Sequence, residues 1–368
     1  MTVKVSKPAI NVREELADLK KPTGIAGQAM LAAETPQEQF QLIGAGRRNL
    51  IINGDFQVSQ RGDYSSNTNA SQNAYYIDRW KHLVQVVTAQ IRRDNGVIVD
   101  GKRMTTFRME ATSSVTGRFG IRQCVEARGT RCPIEDGPAT LSVWMRSTNP
   151  NACLLVYQYS GGGYIGHTPY TGGGEWQKLS LTVEAPNSSV SQNAISLELN
   201  FGVHTANNGN VSITSGDYIE IAQPQLEAGK VATPFEHRSY GEELLLCSRY
   251  YTSSFRTMSP QDGALGAENR YYSPCWKHSG SSRLVGSVNN YPVPMRTTPT
   301  ITFYRDTGVS STNGRWGYYN ATAWQTAPLA QSVQMNSHLG FTPMVANSES
   351  SLTKNFLTLG GWAADAEL

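Results

Sequence analysis

The sequence predicts a mainly β protein: a sandwich of antiparallel strands, then a second, smaller β domain, with two short helices in front and one helix between. Three observations predict it. Gly (34) and Tyr (17) are abundant while charged residues are 17% and hydrophobic ones 39%, a composition that suits short strands and turns over long helices. Many segments alternate apolar and polar residues between turn-forming clusters, as in "ATLSVWMRST", where Leu141, Val143 and Met145 share one face. No strand-like segment is followed by a regular amphipathic helix, which disfavours a parallel α/β sheet.

Residues 1–48 differ from the rest. Asn11 is placed to cap a helix whose narrow apolar stripe is Val12, Leu16 and Leu19, stopped by Pro22 and Gly24. Thr35, Pro36 and Glu38 form a second start signal, a capping box with proline at the first helical position, ahead of Phe40. Two such helices cannot bury a core of their own. Between a flexible tail and an arm that orders on another protein, the two well-formed caps favour the docking arm, with Val12, Leu16, Leu19 and Phe40 as its contact residues.

From residue 49 the pattern is strands. "NLIINGDFQVSQ" holds an apolar run and a turn at Asn53-Gly54. About ten strand-like segments come next, ending in "YIEIAQPQLE", and assign 49–237 to the sandwich. "KVATPFEHR" is an extended exit containing Pro234. Ser239, with Glu242 three residues on, then starts a connector helix over 238–252. Its apolar face is expected to be Leu244, Leu245, Cys247, Ser248 and Tyr251. Residues 253–368 return to strands such as "RWGYYNATAWQ" and form the smaller β domain.

The totals limit the function. A net charge of +3, with basic residues only in isolated doublets, gives no nucleic-acid stripe. Five cysteines (124, 132, 153, 247 and 275) are odd in number and irregularly spaced, which reads as reduced, mostly buried thiols from a cytoplasm. No apolar run reaches membrane length, so no membrane insertion is expected, and no apolar core succeeds the N-terminal charges, so no secretory signal is expected. No nucleophile elbow, zinc-protease or nucleotide motif occurs. Carboxylates are present (Asp55, Asp63, Asp78, Glu110, Glu175, Glu198), but nothing in the sequence pairs them for glycoside hydrolysis, so the chain reads as non-enzymatic. Asp78, in "YYIDRW", reads as a strand-anchoring partner of an arginine.

Several blocks, "NLIINGDFQVSQRG", "YYIDRW", "QLEAGKVATPFEHRSYGEELLLCSRYY", "PVPMRTTPTITFY" and "GWAADAEL", together resemble bacteriophage virion proteins of the tail-fibre and related structural kind, from about residue 40 onward. The "NGDF…DRW…W…QLE" layout also resembles carbohydrate-binding-module jelly rolls. The resemblance implies a jelly roll at 49–237 with its first and last segments adjacent. It further implies a homotrimeric fibre in a virion, anchored by its N-terminus to other phage proteins, with host-surface glycans as a partner. A head fibre without a dedicated receptor is the first alternative and a glycan-degrading enzyme the second. A structural calcium, held by Asp55, carbonyls near Asn53 and Asp217, is a further implication; a plain Asn-Gly-Asp turn is the simpler reading and leaves the chain without a cofactor.

Glycan recognition uses exposed aromatics against the apolar faces of sugars. "SGGGYIGHTPYTGGGEW" reads as a mobile Gly-flanked loop presenting Tyr164, His167 and Tyr170, with Trp176 in the core. In the smaller domain, alternation puts Trp316 and Tyr318 on one face as a second candidate pair.

Overall fold

The computed structural model describes residues 48–71, 73–84, 88–126, 137–158, 163–184, 196–209, 211–255, 271–277, 283–304, 316–319, 324–326, 332–346 and 356–367, together with Gln28 and Ala32. The two expected N-terminal helices, with Val12, Leu16, Leu19 and Phe40, lie outside the described residues, as does Cys132.

Thirteen strands build a jelly-roll-like sandwich. They are β1 (Thr68–Ala70), β2 (Lys81–Val84), β3 (Ala89–Val99), β4 (Lys102–Ala111), β5 (Val115–Thr116), β6 (Phe119–Glu126) and β7 (Ala139–Ser147), then β8 (Cys153–Gln158), β9 (Tyr164–Pro169), β10 (Gln177–Val183), β11 (Ser196–Val203), β12 (Ser212–Ile213) and β13 (Tyr218–Ala228). A one-turn helix, α1 (Thr205–Asn208), sits between β11 and β12. One sheet runs β1-β3-β4-β13-β7-β10 and the other β2-β6-β11-β8-β9, while β5 pairs with β12. The pairings within both sheets are antiparallel.

Alternation decides what each sheet buries. Phe107, Met109, Leu141, Val143, Met145, Ile219 and Ile221 come from one sheet, Phe119, Ile121, Leu154, Val156, Leu199 and Phe201 from the other, and all join one core. Trp80 sits at its centre, with Phe56 at 5.0 Å and Phe201 at 5.8 Å between ring centroids.

The "NGDF" segment is a turn, not a strand, with Asn53 and Phe56 at φ 59° and 58°. It does lie beside the last sandwich strand, as expected: the Leu50 amide donates to the Leu226 carbonyl at 2.8 Å. Asn53 is fully buried, and its amide side chain holds the turn closed on the Val58 amide and carbonyl and on the Asp78 carbonyl, at 2.8–3.0 Å.

The connector helix is α2 (Tyr240–Ser248), capped by the Ser239 hydroxyl accepting from the Glu242 amide at 3.3 Å. Its expected apolar face needs correction. Cys247 and Ser248 are buried, but Leu245 is 51% exposed. The anchor is polar: buried Glu243 accepts from the Asn53 amide at 2.6 Å and from Arg238 at 2.9 Å. Arg238 also donates to the carbonyls of Ile51 and Asn49. A glutamate takes this place because the turn at 49–53 leaves backbone groups that an apolar side chain could not satisfy.

Ten further strands form the second β unit: β14 (Tyr251–Ser253), β15 (Tyr271–Lys277), β16 (Arg283–Gly286), β17 (Asn289–Asn290), β18 (Thr300–Tyr304), β19 (Gly317–Tyr319), β20 (Trp324–Thr326), β21 (Ser332–Asn336), β22 (Gly340–Ala346) and β23 (Phe356–Asp365). The last strand organises it. Its first half, to Gly360, pairs with β15 and β19; its second half, from Gly361, pairs with β14 and β18. Trp316, Phe341 and Trp362 lead its aromatic core. Where the partners change, Gly360 leaves room for the Trp316 indole, which a Cβ there would overlap.

The two units meet through buried charge. Arg79, 1% exposed at its side chain, pairs with Glu367, lies 3.5 Å over the Tyr250 ring and donates to the Cys124 carbonyl. Arg61 reaches Asp78 at 3.1 Å, Asp365 at 3.3 Å and Glu367 at 3.4 Å, with its guanidinium 3.7 Å over Tyr251. Asp78 therefore does anchor through an arginine, Arg61 rather than its neighbour Arg79. Burial pushes its carboxyl up to about 6 against the pull of Arg61.

Two substitutions probe these contacts. Arg79→Met leaves Glu367 buried with one partner fewer and lowers unfolding free energy by about 3–5 kcal/mol, read by denaturant titration; adding Glu367→Gln recovers part of the loss. Gly360→Ala forces the indole out of its seat and costs about 1–3 kcal/mol in the same titration, with the second unit melting first.

Candidate ligand-binding face

With the core side assigned, the opposite face of the five-stranded sheet is set by strand alternation. In "SLELNFGV", Leu197, Leu199 and Phe201 point inward, so Glu198 and Asn200 point outward. Register then sets one row across the whole sheet: Lys81, Arg122, Asn200, Leu155 and His167. The next row is Cys124, Glu198, Tyr157 and Tyr164.

The floor of this face is polar and buried. Arg122 and Glu198 pair at 3.0 Å, with side chains 9% and 4% exposed. Arg122 also donates to Asn73 at 3.4 Å. Beside them Asn200 is 2% exposed, and among the described residues neither its amide nitrogen nor its carbonyl oxygen has a hydrogen-bond partner. An unpaired buried polar group costs about 1–3 kcal/mol, so the chain holds this amide at an energetic cost.

Neighbouring groups are tuned by this setting. Burial and the Glu198 carboxylate push the Cys124 thiol up to about 11, which favours the neutral thiol at neutral pH. Burial and Arg122 lower the Lys81 ammonium below its ordinary value. Burial, then the charge of Arg118, lowers His204 to about 4. The His204 Nδ1 accepts from the Ala206 amide at 3.0 Å and caps α1, so the proton sits on Nε2.

The rim is aromatic. Tyr157 is half-buried with its ring 5.7 Å from that of His204. Tyr164, 43% exposed, lies opposite Tyr157, and its hydroxyl bonds His167 Nδ1. These two sequence candidates are therefore brought together, but on an edge strand rather than in a mobile loop.

The remaining candidates separate. Tyr170 is 4% exposed; its hydroxyl donates to the Glu175 carbonyl at 2.6 Å and accepts from the Gly174 amide at 2.9 Å, closing a turn instead of facing a ligand. Trp316 is fully buried and its indole N–H donates to the Gly361 carbonyl at 3.1 Å, which makes it core. Tyr318 lies in β19 opposite Gln325 and Thr358, and its side chain lies outside the described residues. Trp176, expected in the core, is half-buried on the opposite side of the sandwich, near Trp144.

The implied calcium ligands do not converge. Gly54 packs on the Pro224 carbonyl, near one end of β13, whereas Asp217 precedes the other end, about 20 Å away. Asp55 bonds Gln57, and Asp217 accepts from Asn149 and Thr214, both at 2.9 Å. Among the described residues no group of three or more His, Cys, Asp or Glu could hold a metal ion, and no helix is long and apolar enough to cross a membrane.

Sequence reasoning finds Glu198 only as an isolated carboxylate and misses Arg122, Asn200 and Tyr157. The signal available is the run of polar residues at outward positions of β6 and β11; their burial is not readable from it.

No protein-family model matches the chain, and no curated protein matches it by sequence. Solved structures with similar folds include a putative sugar binding protein from Bacteroides thetaiotaomicron (11% identity, 50% of this chain and 100% of that one, TM-score 0.32). A carbohydrate-binding module in complex with beta-1,4-galactotriose is 14% identical over 50% of this chain and 100% of its own, with a TM-score of 0.28. A cyclase from Fischerella sp. TAU is 11% identical over 51% of this chain and 100% of its own, with a TM-score of 0.36. At such values these likenesses bear on neither ligand nor site.

His204 gives this face a pH signature. The unfolded chain takes up its proton near 6.5 and the folded chain near 4, so the unfolded state binds more protons between those values. Stability from this group is full above 6.5 and falls as pH drops to about 4. His204→Asn keeps a capping acceptor and removes this part of the slope, checked by denaturation midpoints from about pH 7 to about pH 4.

Proposed function

We propose that this chain is a non-enzymatic structural protein of a bacteriophage particle that recognises a glycan through the outer face of its five-stranded sheet. One observation carries the binding half of this reading: Asn200, buried beside the Arg122–Glu198 pair with both ends of its amide unpaired among the described residues, so that a ligand reaches it only when the side chains over it move aside. A sugar hydroxyl both donates and accepts and so matches an amide. Tyr157, Tyr164 and His167 offer rings at the edge of the same face.

The particle half rests on the sequence blocks that resemble phage fibre proteins. On this reading residues 1–48 form the docking arm, 49–237 the glycan-binding sandwich, 238–252 the connector and 253–368 the distal β domain of a trimeric tail fibre. The non-enzymatic reading is supported by the pairing of the buried carboxylates: Asp78 is engaged by Arg61 and Glu198 by Arg122.

Asn200→Leu tests the binding half. Removing an unpaired amide leaves stability unchanged or raises it, while retention on immobilised host polysaccharide falls about tenfold or more. A variant that binds as tightly as the parent chain sinks the assignment of this face, and release of reducing ends from the polysaccharide sinks the non-enzymatic reading. A reconstruction of the intact particle tests the rest: density for this chain on the head would make it a capsid fibre instead.

A further inference from the structure

The other sheet carries a second polar and aromatic surface, on the far side of the sandwich from Asn200. On the outer face of the six-stranded sheet, register places Arg92, Arg108, Glu220 and Arg146 side by side across β3, β4, β13 and β7. Neighbouring strands lie about 4.8 Å apart, so the row is about 14 Å long. Its charges are paired within the face. Arg92 meets Asp94 at 2.7 Å, Arg108 meets Glu110 at 2.7 Å, and Arg146 meets Glu220 at 2.7 Å. Fully buried Glu220 also accepts from the Thr106 hydroxyl at 2.6 Å.

Rings are interleaved with the row. Arg108 lies 3.8 Å over Tyr218, and the Arg146 guanidinium is 4.9 Å from the Trp176 ring and 5.9 Å from that of Tyr218. Trp144 and Trp176 pack over a small cluster of Val99, Met104 and Ala222 on this outer side. Trp144, Trp176 and Tyr218 are all half-buried, and the Trp176 indole N–H has no hydrogen-bond partner among the described residues. The neighbouring part of the face is closed by the chain leaving the sandwich, where Thr233 bonds Glu227 and Gln225.

We propose that this half-open row is a second binding surface, and that its occupant is an uncharged oligosaccharide chain lying across the four strands. Three features select that chemistry. The guanidiniums and carboxylates neutralise one another, so the row does not attract a strongly charged polymer. Ion pairs hold the arginines in place before binding, which lowers the ordering cost, and each guanidinium keeps N–H groups for hydroxyl oxygens. The three rings supply flat apolar patches for the C–H faces of sugar rings. A protein partner fits less well, because its interface would have to desolvate the ion pairs at its centre.

The full-length chain is tested on immobilised neutral glucan, galactan and mannan, with alginate as an anionic comparison. The expected result is retention on at least one neutral polymer, unchanged between about 50 mM and about 500 mM salt. In the Asn200→Leu background, Trp176→Ala and Tyr218→Ala each weaken it about tenfold. Should either variant be misfolded, hydroxyl-radical footprinting of the parent chain gives the same answer, with Trp144 and Trp176 protected by the retained polymer. The Asn200→Leu chain separates the two faces: this surface retains polymer in that variant, whether or not the opposite face binds. Absence of retention on every neutral polymer overturns the proposal. So does retention of alginate alone with steep salt dependence, or binding by the Asn200→Leu chain that Trp176→Ala does not alter. Protection of the same rings by self-association, without glycan, also overturns it and makes the surface an interface between copies.

Discussion

The fold depends on a buried ionic joint. Arg79 binds three groups at once: the Glu367 carboxylate, the face of Tyr250 and the Cys124 carbonyl. It stands in the turn where the Trp80 amide donates to the Ile77 carbonyl at 2.8 Å, so the joint and the centre of the core share one piece of backbone. Two guanidiniums, Arg61 and Arg79, face buried Asp78 and Glu367, from which water is largely removed, and Asp365 at the rim, 46% exposed. In such a setting neither sign of charge is tolerable alone. The arrangement fixes how the second β unit lies against the sandwich more sharply than apolar contact would, because guanidinium geometry is directional. Glu126 extends it, meeting Arg249 at 3.2 Å at the far end of the strand that carries Arg122.

The two faces of the sandwich handle polarity differently, and the difference comes from strand register. On the six-stranded sheet Asp94, Glu110 and Glu220 each have a guanidinium beside them, Glu227 is held by Thr233 and Gln225, and buried Glu220 is satisfied by Arg146 and Thr106. On the five-stranded sheet the pairing is incomplete: Arg122 and Glu198 meet, but Asn200 in the same row as Arg122 meets nothing. A satisfied network stabilises a surface, whereas an unsatisfied one is tolerated only when something else compensates.

How far the sequence was legible depends on what each residue's job required. The strands of the sandwich were readable because alternation in segments such as Leu141, Val143 and Met145 is imposed by the pleat itself. Ser239 was readable because a helix start needs a local acceptor. Local rules could not tell which apolar residues on α2 face inward, since Glu243 is recruited by the Asn53 amide, 190 positions away. The glycine-flanked segment misled for a related reason. Gly163, Gly166 and Gly172–Gly174 suggest a loop, yet pairing of Leu155 with His167 makes a strand of its middle. Trp316 looked like a displayed ring, and Gly360 shows why it is not: the seat for the indole is cut into a strand some forty residues later. Asn200 was the hardest, because a buried unpaired amide and an ordinary surface asparagine read alike in a sequence.

The joint also constrains how the molecule acquires its shape in time. Arg61 finds partners 304 and 306 positions along the chain, and Arg79 finds one 288 positions away. Contacts that distant form late, because a long loop must close before they return any stabilisation. During synthesis the sandwich therefore emerges with the guanidiniums of Arg79 and of Arg61, the latter already facing Asp78, still without their C-terminal partners. The final strand of the second unit then arrives carrying both the sheet-organising pairings and the carboxylates that neutralise them. One event thus completes the second sheet and locks it to the first, and a nascent chain halted short of residue 365 has a sandwich but no fixed orientation for its second unit.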